Sequence, residues 1–321
     1  VKTSFKNILK KTLPLLLGVF LIWYSYSHTT PEDRKSIFEA VKNADYFWVI
    51  ASLFLGFLSH FTRALRWNLL LEPIGYKPKI MNNLMAIFVG YLANLGIPRS
   101  GEVLRATTLT TYEKVPFQKT FGTIIAERVI DVVLLLTIVA VTAILQTEVI
   151  ADYFANKNVN FLKLSLFGVA LLVAGIAFLL LIKRAKSGFL LKVKNFVFEL
   201  IEGVMSIFKM KRKWLFIIYT LLIWVLYIAM FWLIKYSIPE TASLSLNAIL
   251  AAFVAGAFAM SATNGGIGLY PIAVSKILLV YGISKASGDA FGWIMWTSQT
   301  LMVVVFGALA FLFLPFYNRN K

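Results

Sequence analysis

The sequence predicts an all-α integral membrane protein of about six transmembrane helices plus two re-entrant helical hairpins, arranged as an inverted repeat with both termini in the cytoplasm. Three observations carry this expectation. Of 321 residues, 59% are hydrophobic and only 15% charged, and the mean hydropathy is +0.78, so there is too little polar surface to cover a particle of this size in water. Uncharged runs able to cross about 30 Å of hydrocarbon as a helix recur along the chain. Two further uncharged stretches are interrupted by Gly, Pro and Asn where a helix would otherwise continue.

In chain order, Thr12 to Ser27 is the first span, with Lys2, Lys6, Lys10 and Lys11 as its basic flank. The following Tyr26-Ser27-His28-Thr29-Thr30 lacks a small-x-small cleavage pattern, so residues 1–45 read as an uncleaved anchor and an outer loop. Tyr46 to Thr62 is the second span, ended by Arg63, Arg66 and Trp67 in the manner of interfacial anchors. Ile80 to Pro98 follows as 19 uncharged residues closing on Gly96-Ile97-Pro98. If this stretch crossed the membrane, the later spans would invert against the positive-inside rule. A re-entrant hairpin over about 80–105, entered and left from the cytoplasm, removes the conflict.

The third and fourth spans are a run from about Thr120 to Thr147 and Leu164 to Ile182. Residues 183–213 are strongly basic yet carry Phe189, Val193, Phe196, Val197, Leu200 and Val204 at near-helical spacing, which predicts an amphipathic linker on the anionic inner leaflet. Leu215 to Ile234 and Ala290 to Phe316 are the last two spans. Between them, Thr241 to Ser275 is 35 uncharged residues broken at Thr263-Asn264-Gly265-Gly266-Ile267-Gly268. This predicts a second hairpin, over about 241–282 and entered from outside.

The whole chain, 1–321, thus reads as one membrane domain with a first half at 46–182 and an inverted second half at 214–321. With the N-terminus inside, 23 Lys and Arg fall on cytoplasmic segments against 8 outside. Inverted repeats with Gly/Pro-broken segments in matching positions are a pattern of secondary transporters. A symmetric scaffold without transport is the alternative.

The net charge of +17 sits between hydrophobic spans rather than on a soluble domain, so no nucleic-acid partner is expected. Without cysteine there is no disulfide, iron–sulfur or thiolate zinc site. His28 and His60 read as interfacial polar residues. Phosphate-loop, nucleophile-elbow and Asp-x-Asp patterns are missing, so no catalytic residue, metal or cofactor is expected and an enzyme is disfavoured.

The densest polar cluster is Asn94, Arg99, Glu102 and Arg105, continued by Glu127, Arg128 and Asp131. On a helix, Glu127 and Asp131 lie four apart and share a face. Two readings stand: an ion-pair network that pins the hairpin, or a basic pocket for a phosphate headgroup, since Arg offers paired donors matched to phosphate. Arg63 and Arg66 would make the inner mouth of such a pocket more positive. Asn264, Gly265, Gly266 and Gly268 would add backbone amides from the second hairpin.

Taken in order, Arg63-Ala-Leu-Arg66-Trp67, Pro98-Arg99-Ser-Gly101-Glu102-Val-Leu-Arg105, Glu127-Arg128-Val-Ile-Asp131 and Gly265-Gly266-Ile-Gly268 resemble the lysylphosphatidylglycerol synthase transmembrane family, the flippase-like domain proteins. The resemblance spans nearly the whole chain. It implies a multi-pass protein of the bacterial inner membrane that moves an anionic or aminoacylated phospholipid, or a lipid-linked phosphate, between leaflets. This chain looks like the stand-alone type, which would leave lipid synthesis to a separate lipid-modifying enzyme and is compatible with homo-oligomers. The alternative is an accessory subunit or enzyme of lipid or lipid-linked glycan synthesis. One departure stands out. Where the family's glycine motif is usually preceded by proline and followed by an acidic residue, Thr263-Asn264 precede it here and Tyr270 occupies the expected acidic position.

Overall fold

The computed structural model describes residues 30–147 and 210–319, with the isolated positions 23, 27 and 191. The expected span at 164–182, most of the span at 12–27 and most of the linker at 183–213 lie outside the described residues, as does His28. Every regular element among the described residues is helical. In order they are α1 (Pro31–Lys42), α2 (Tyr46–Leu71), α3 (Ile80–Gly96), α4 (Ser100–Glu113), α5 (Phe117–Leu145), α6 (Lys213–Ile234), α7 (Leu246–Ala262), α8 (Leu269–Val280) and α9 (Lys285–Tyr317).

Among the described residues, four stretches are long and apolar enough to cross a membrane: Tyr46–Ile74, Phe117–Leu145, Lys213–Ser237 and Lys285–Tyr317. By contrast α3 and α7 have 17 residues each and α8 has 12. At 1.5 Å per residue these reach about 25 Å and about 18 Å, short of the roughly 30 Å of a hydrocarbon core.

Local chemistry sets the helix ends. Asp45 caps α2 by accepting from the Phe47 amide, Ser245 caps α7 through the Ala248 amide and Ser284 caps α9 through the Ser287 amide. In α1, Pro31 opens the helix and Lys42 lies in its last turn, where the dipole favours a cation. The second span does not stop at Arg63 as the sequence suggests. It continues to Leu71 and ends at Pro73 and at Gly75, whose φ is 91°. Arg63 and Arg66 are carried inside the helix because hydroxyl groups on α6 receive them.

The chain forms two compact units, one of residues 1–125 with 214–321 and one of residues 126–213. In the first unit, α3 packs on α4 and α7 packs on α8 as two helical hairpins, and α9 runs alongside α1, α3 and α8. The packing depends on missing side chains: a Cβ on Gly101 would stand 2.2 Å from the Gly90 carbonyl, and one on Gly292 would stand 2.7 Å from the Pro271 carbonyl.

The two hairpins open toward opposite ends of α9. At its Asn318 end, Asn82 donates to Glu113, and Asn82 and Asn318 exchange hydrogen bonds of 2.9 Å between their amides. These contacts hold the open end of the α3–α4 pair. At its Ser284 end, Glu240 accepts from the Ser284 amide and hydroxyl at 2.6 Å, and the Asp45 amide donates to the Ser237 carbonyl. That end is where the α7–α8 pair begins. The second unit contains the rest of α5, whose Val132, Val133, Leu136 and Ile144 are exposed. Such an apolar surface fits lipid rather than water.

Candidate functional site

Buried charge is costly unless it is received by hydrogen bonds or counter-charge, so the buried arginines locate the site. Arg63 and Arg66 lie one turn apart on α2 and are 3% and 0% exposed. Arg63 donates to the Tyr227 hydroxyl at 3.2 Å and Arg66 to the Thr220 hydroxyl at 3.3 Å, both on α6. The Arg66 guanidinium also lies 5.7 Å from the Phe216 ring centroid. On α4, Arg105 is buried with its guanidinium 4.2 Å from the centre of the Trp67 ring. Trp67 is fully buried and donates its indole N–H to Thr123 at 3.0 Å. A flat cation thus stacks on an indole that is itself fixed.

The first hairpin tip is built by Asn94, whose side-chain oxygen accepts from the Gly101 amide at 2.7 Å. Arg99 stands at the turn with φ 61° and an exposed side chain. A non-glycine residue in this region carries strain, and such strain collects at functional sites. Glu102 is half-buried on the first turn of α4.

In the second hairpin, Gly265, Gly266 and Gly268 have φ of 59°, 77° and 72°, a run that only glycine adopts without cost. The Trp296 indole of α9 donates to the Gly265 carbonyl at 2.7 Å, and Asn264 is buried. Leu95 of the first tip lies against Gly265. The two broken segments therefore meet end to end inside the first unit.

Glu127, Arg128 and Asp131 belong to the second compact unit. Glu127 is fully buried, Asp131 is 9% exposed and Arg128 is half-buried. His60, expected at an interface, is buried instead, its ring 5.0 Å from that of Tyr91 and 5.3 Å from that of Phe88. Trp67, expected as an interfacial anchor, is fully buried instead. Sequence reasoning missed Thr220, Tyr227 and Trp296. Their signal was the presence of hydroxyl and indole groups within apolar spans, which must find polar company there. It also missed Lys235, whose ammonium donates to the Leu244 carbonyl at 2.7 Å and lies 3.6 Å from the centre of the Trp232 ring.

The pattern of a lysylphosphatidylglycerol synthase transmembrane region matches residues 12–307. The chain belongs to that family. A UPF0104 membrane protein of the archaeon Methanocaldococcus jannaschii is 24% identical to this family member over 324 aligned positions, covering 94% of this chain and 86% of the relative. No solved structure matches. Membership in this family, with the apolar helices, makes the chain a multi-pass membrane protein and is consistent with a lipid-related role.

Proposed function

We propose that this protein moves a phosphate-bearing lipid, anionic or aminoacylated phospholipid or lipid-linked phosphate, between membrane leaflets as a flippase or scramblase. One observation carries the reading: two hairpins too short to span, opening toward opposite ends of α9, touch at Leu95 and Gly265, in the unit that also buries Arg63, Arg66 and Arg105. Re-entrant segments that meet in the membrane interior are a recurrent way to line a transport site. In this reading the α3–α4 pair enters from the cytoplasm, the α7–α8 pair enters from outside, and the halves 46–182 and 214–321 are the inverted repeats. The membrane is the cell membrane, the inner one in a bacterium.

Arg63, Arg66, Arg99 and Arg105 supply the positive field that draws the phosphate, with Arg99 at the exposed tip as the first contact. Glu102 sets the charge balance at the first tip, and Glu127, Arg128 and Asp131, on the other unit, enter the reading by their sequence pattern alone. Asn94 and the 264–268 turn shape the path between the tips. An arginine at mid-bilayer costs roughly 2.5–3.5 kcal/mol on the insertion scale, a cost that a phosphate oxygen offsets through charge-assisted hydrogen bonds. The family's lipid connection supports this assignment, and no catalytic step is assigned to the chain.

The test is translocation in proteoliposomes of defined composition, wild type beside Arg99→Gln and Arg63→Gln. Accelerated leaflet exchange of an anionic phospholipid, slowed at least about tenfold by either change, is the expected result. Exchange no faster than in protein-free vesicles, across phosphatidylglycerol, phosphatidylinositol and lysyl-phosphatidylglycerol, overturns the reading.

A further inference from the structure

Leu301 is the middle residue of α9, so a hydrocarbon core of roughly 30 Å covers about ten residues on either side of it. Trp296, which holds Gly265, and the neighbouring Thr297 fall well within that interval. Gly265 touches Leu95 of the first tip, so both tips lie at this level. Around the junction Arg99, Ser261 and Thr297 are all exposed. Each stands within four residues of one of the three contacting positions, Leu95, Gly265 and Trp296.

Arg99 makes no ion pair or side-chain hydrogen bond among the described residues. Thr107, Thr137 and Thr220 donate to the carbonyl four residues back, a common way to keep a hydroxyl in an apolar helix. Thr297 makes no such bond among the described residues. The Asn264 Nδ2 donor, buried beside Gly265, has no acceptor among the described residues either. A guanidinium set against lipid chains is costly, so polar groups at this depth face water, a polar partner or a polar ligand. Next to these groups in the chain, Ile97, Met260 and Leu301 expose apolar surface. Polar and apolar groups thus stand together around the junction, as a headgroup and its acyl chains do in one lipid.

We propose that the junction of the tips is a water-holding notch open sideways to the bilayer, in which the phosphate headgroup rests against Arg99 while the acyl chains stay outside in lipid. This rests on the lipid-translocation reading and adds the route. The headgroup passes along the flank of the protein rather than through a sealed interior, and the chains never leave the hydrocarbon.

The sequence has no cysteine, so single thiols report on the notch without background. The full chain is reconstituted in phosphatidylglycerol vesicles as Ser261→Cys, Thr297→Cys and Val305→Cys. Val305 is the depth-matched control, exposed and as far past Leu301 as Thr297 is before it. A charged methanethiosulfonate is expected to label Ser261→Cys and Thr297→Cys at least about tenfold faster than Val305→Cys, because the reactive thiolate forms in water and not in lipid. Melting temperatures unchanged from wild type show that the three variants fold alike. Labelling of Thr297→Cys is expected to slow phosphatidylglycerol exchange several-fold, and the same treatment of the cysteine-free wild type to leave it unchanged. Labelling at both positions as slow as at Val305→Cys overturns the notch and leaves the translocation reading standing. Fast labelling with unimpaired exchange overturns the headgroup's place in it. If unmodified protein moves no lipid, the translocation reading falls, and the labelling rates still decide whether the junction holds water.

Discussion

The Leu95 Cδ2 atom lies 2.7 Å from the point where a Cβ on Gly265 would stand, so the two hairpin tips meet through a residue that has no side chain. Gly265 also has φ 59°, a region that costs an L-residue roughly 1–2 kcal/mol. Gly265→Ala is therefore expected to part the tips and slow lipid exchange several-fold. Adding Leu95→Ala removes the clash but not the backbone strain, so exchange should recover only in part. Full recovery would assign the whole effect to the steric contact.

Gly101 makes the tightest approach in the first hairpin, 2.2 Å from the Gly90 carbonyl to a would-be Cβ, and backbone cannot swing aside. Gly101→Ala should destabilise by at least the roughly 1–3 kcal/mol of overpacking and lower the melting temperature in detergent. Gly96 has nothing within 4 Å of its would-be Cβ. Gly96→Ala is the matched control, expected to be neutral or slightly stabilising through helix propensity.

Hydrogen bonds from Ser284 and Ser287 hold the Glu240 carboxyl below its ordinary value of 4.5. A depressed carboxyl contributes stability above its unfolded value and loses it as pH falls through the folded one. Glu240→Gln should therefore lower the melting temperature at pH 7. The gap from wild type should narrow as the pH drops below 4.5. A gap independent of pH would mean that shape rather than charge matters at this cap.

The reciprocal amide bonds between Asn82 and Asn318, both 2.9 Å, join residues 236 apart in the chain. Breaking either side leaves a buried amide unmet, at about 1–3 kcal/mol. Asn82→Ala and Asn318→Ala should each destabilise, and the double variant should cost clearly less than the sum, because the partners fail together. An additive cycle would mean that the two amides contribute separately.

What the sequence made legible was the broad architecture. Unbroken apolar runs announced the helices at 213–237 and 285–317, and the breaks at Gly96-Ile97-Pro98 and at 263–268 fall where α3 and α7 end. What stayed hidden depends on partners distant in sequence. Arg63 and Arg66 resembled a span end because charges usually mark one, but Tyr227 and Thr220 on α6 let the helix continue past them. Asn82 and Asn318 drew no reading from the sequence, because they lie 236 residues apart and only folding brings their amides together. The Arg105 and Trp67 stack is another such case, since nothing in either segment announces the other.

The 33-residue helix α9 is about 50 Å long at 1.5 Å per residue, well beyond the thickness of a bilayer's hydrocarbon. It is fastened near one tip to the mouth of one hairpin by Asn318 and near the other tip to the start of the second hairpin by Ser284. A rigid rod attached in this way behaves as a balance beam: any change in its tilt pulls on both fastenings at once and in opposite directions. In the translocation proposed above, opening on one side of the membrane and closing on the other would be a single mechanical event, with no messenger needed between the two sides.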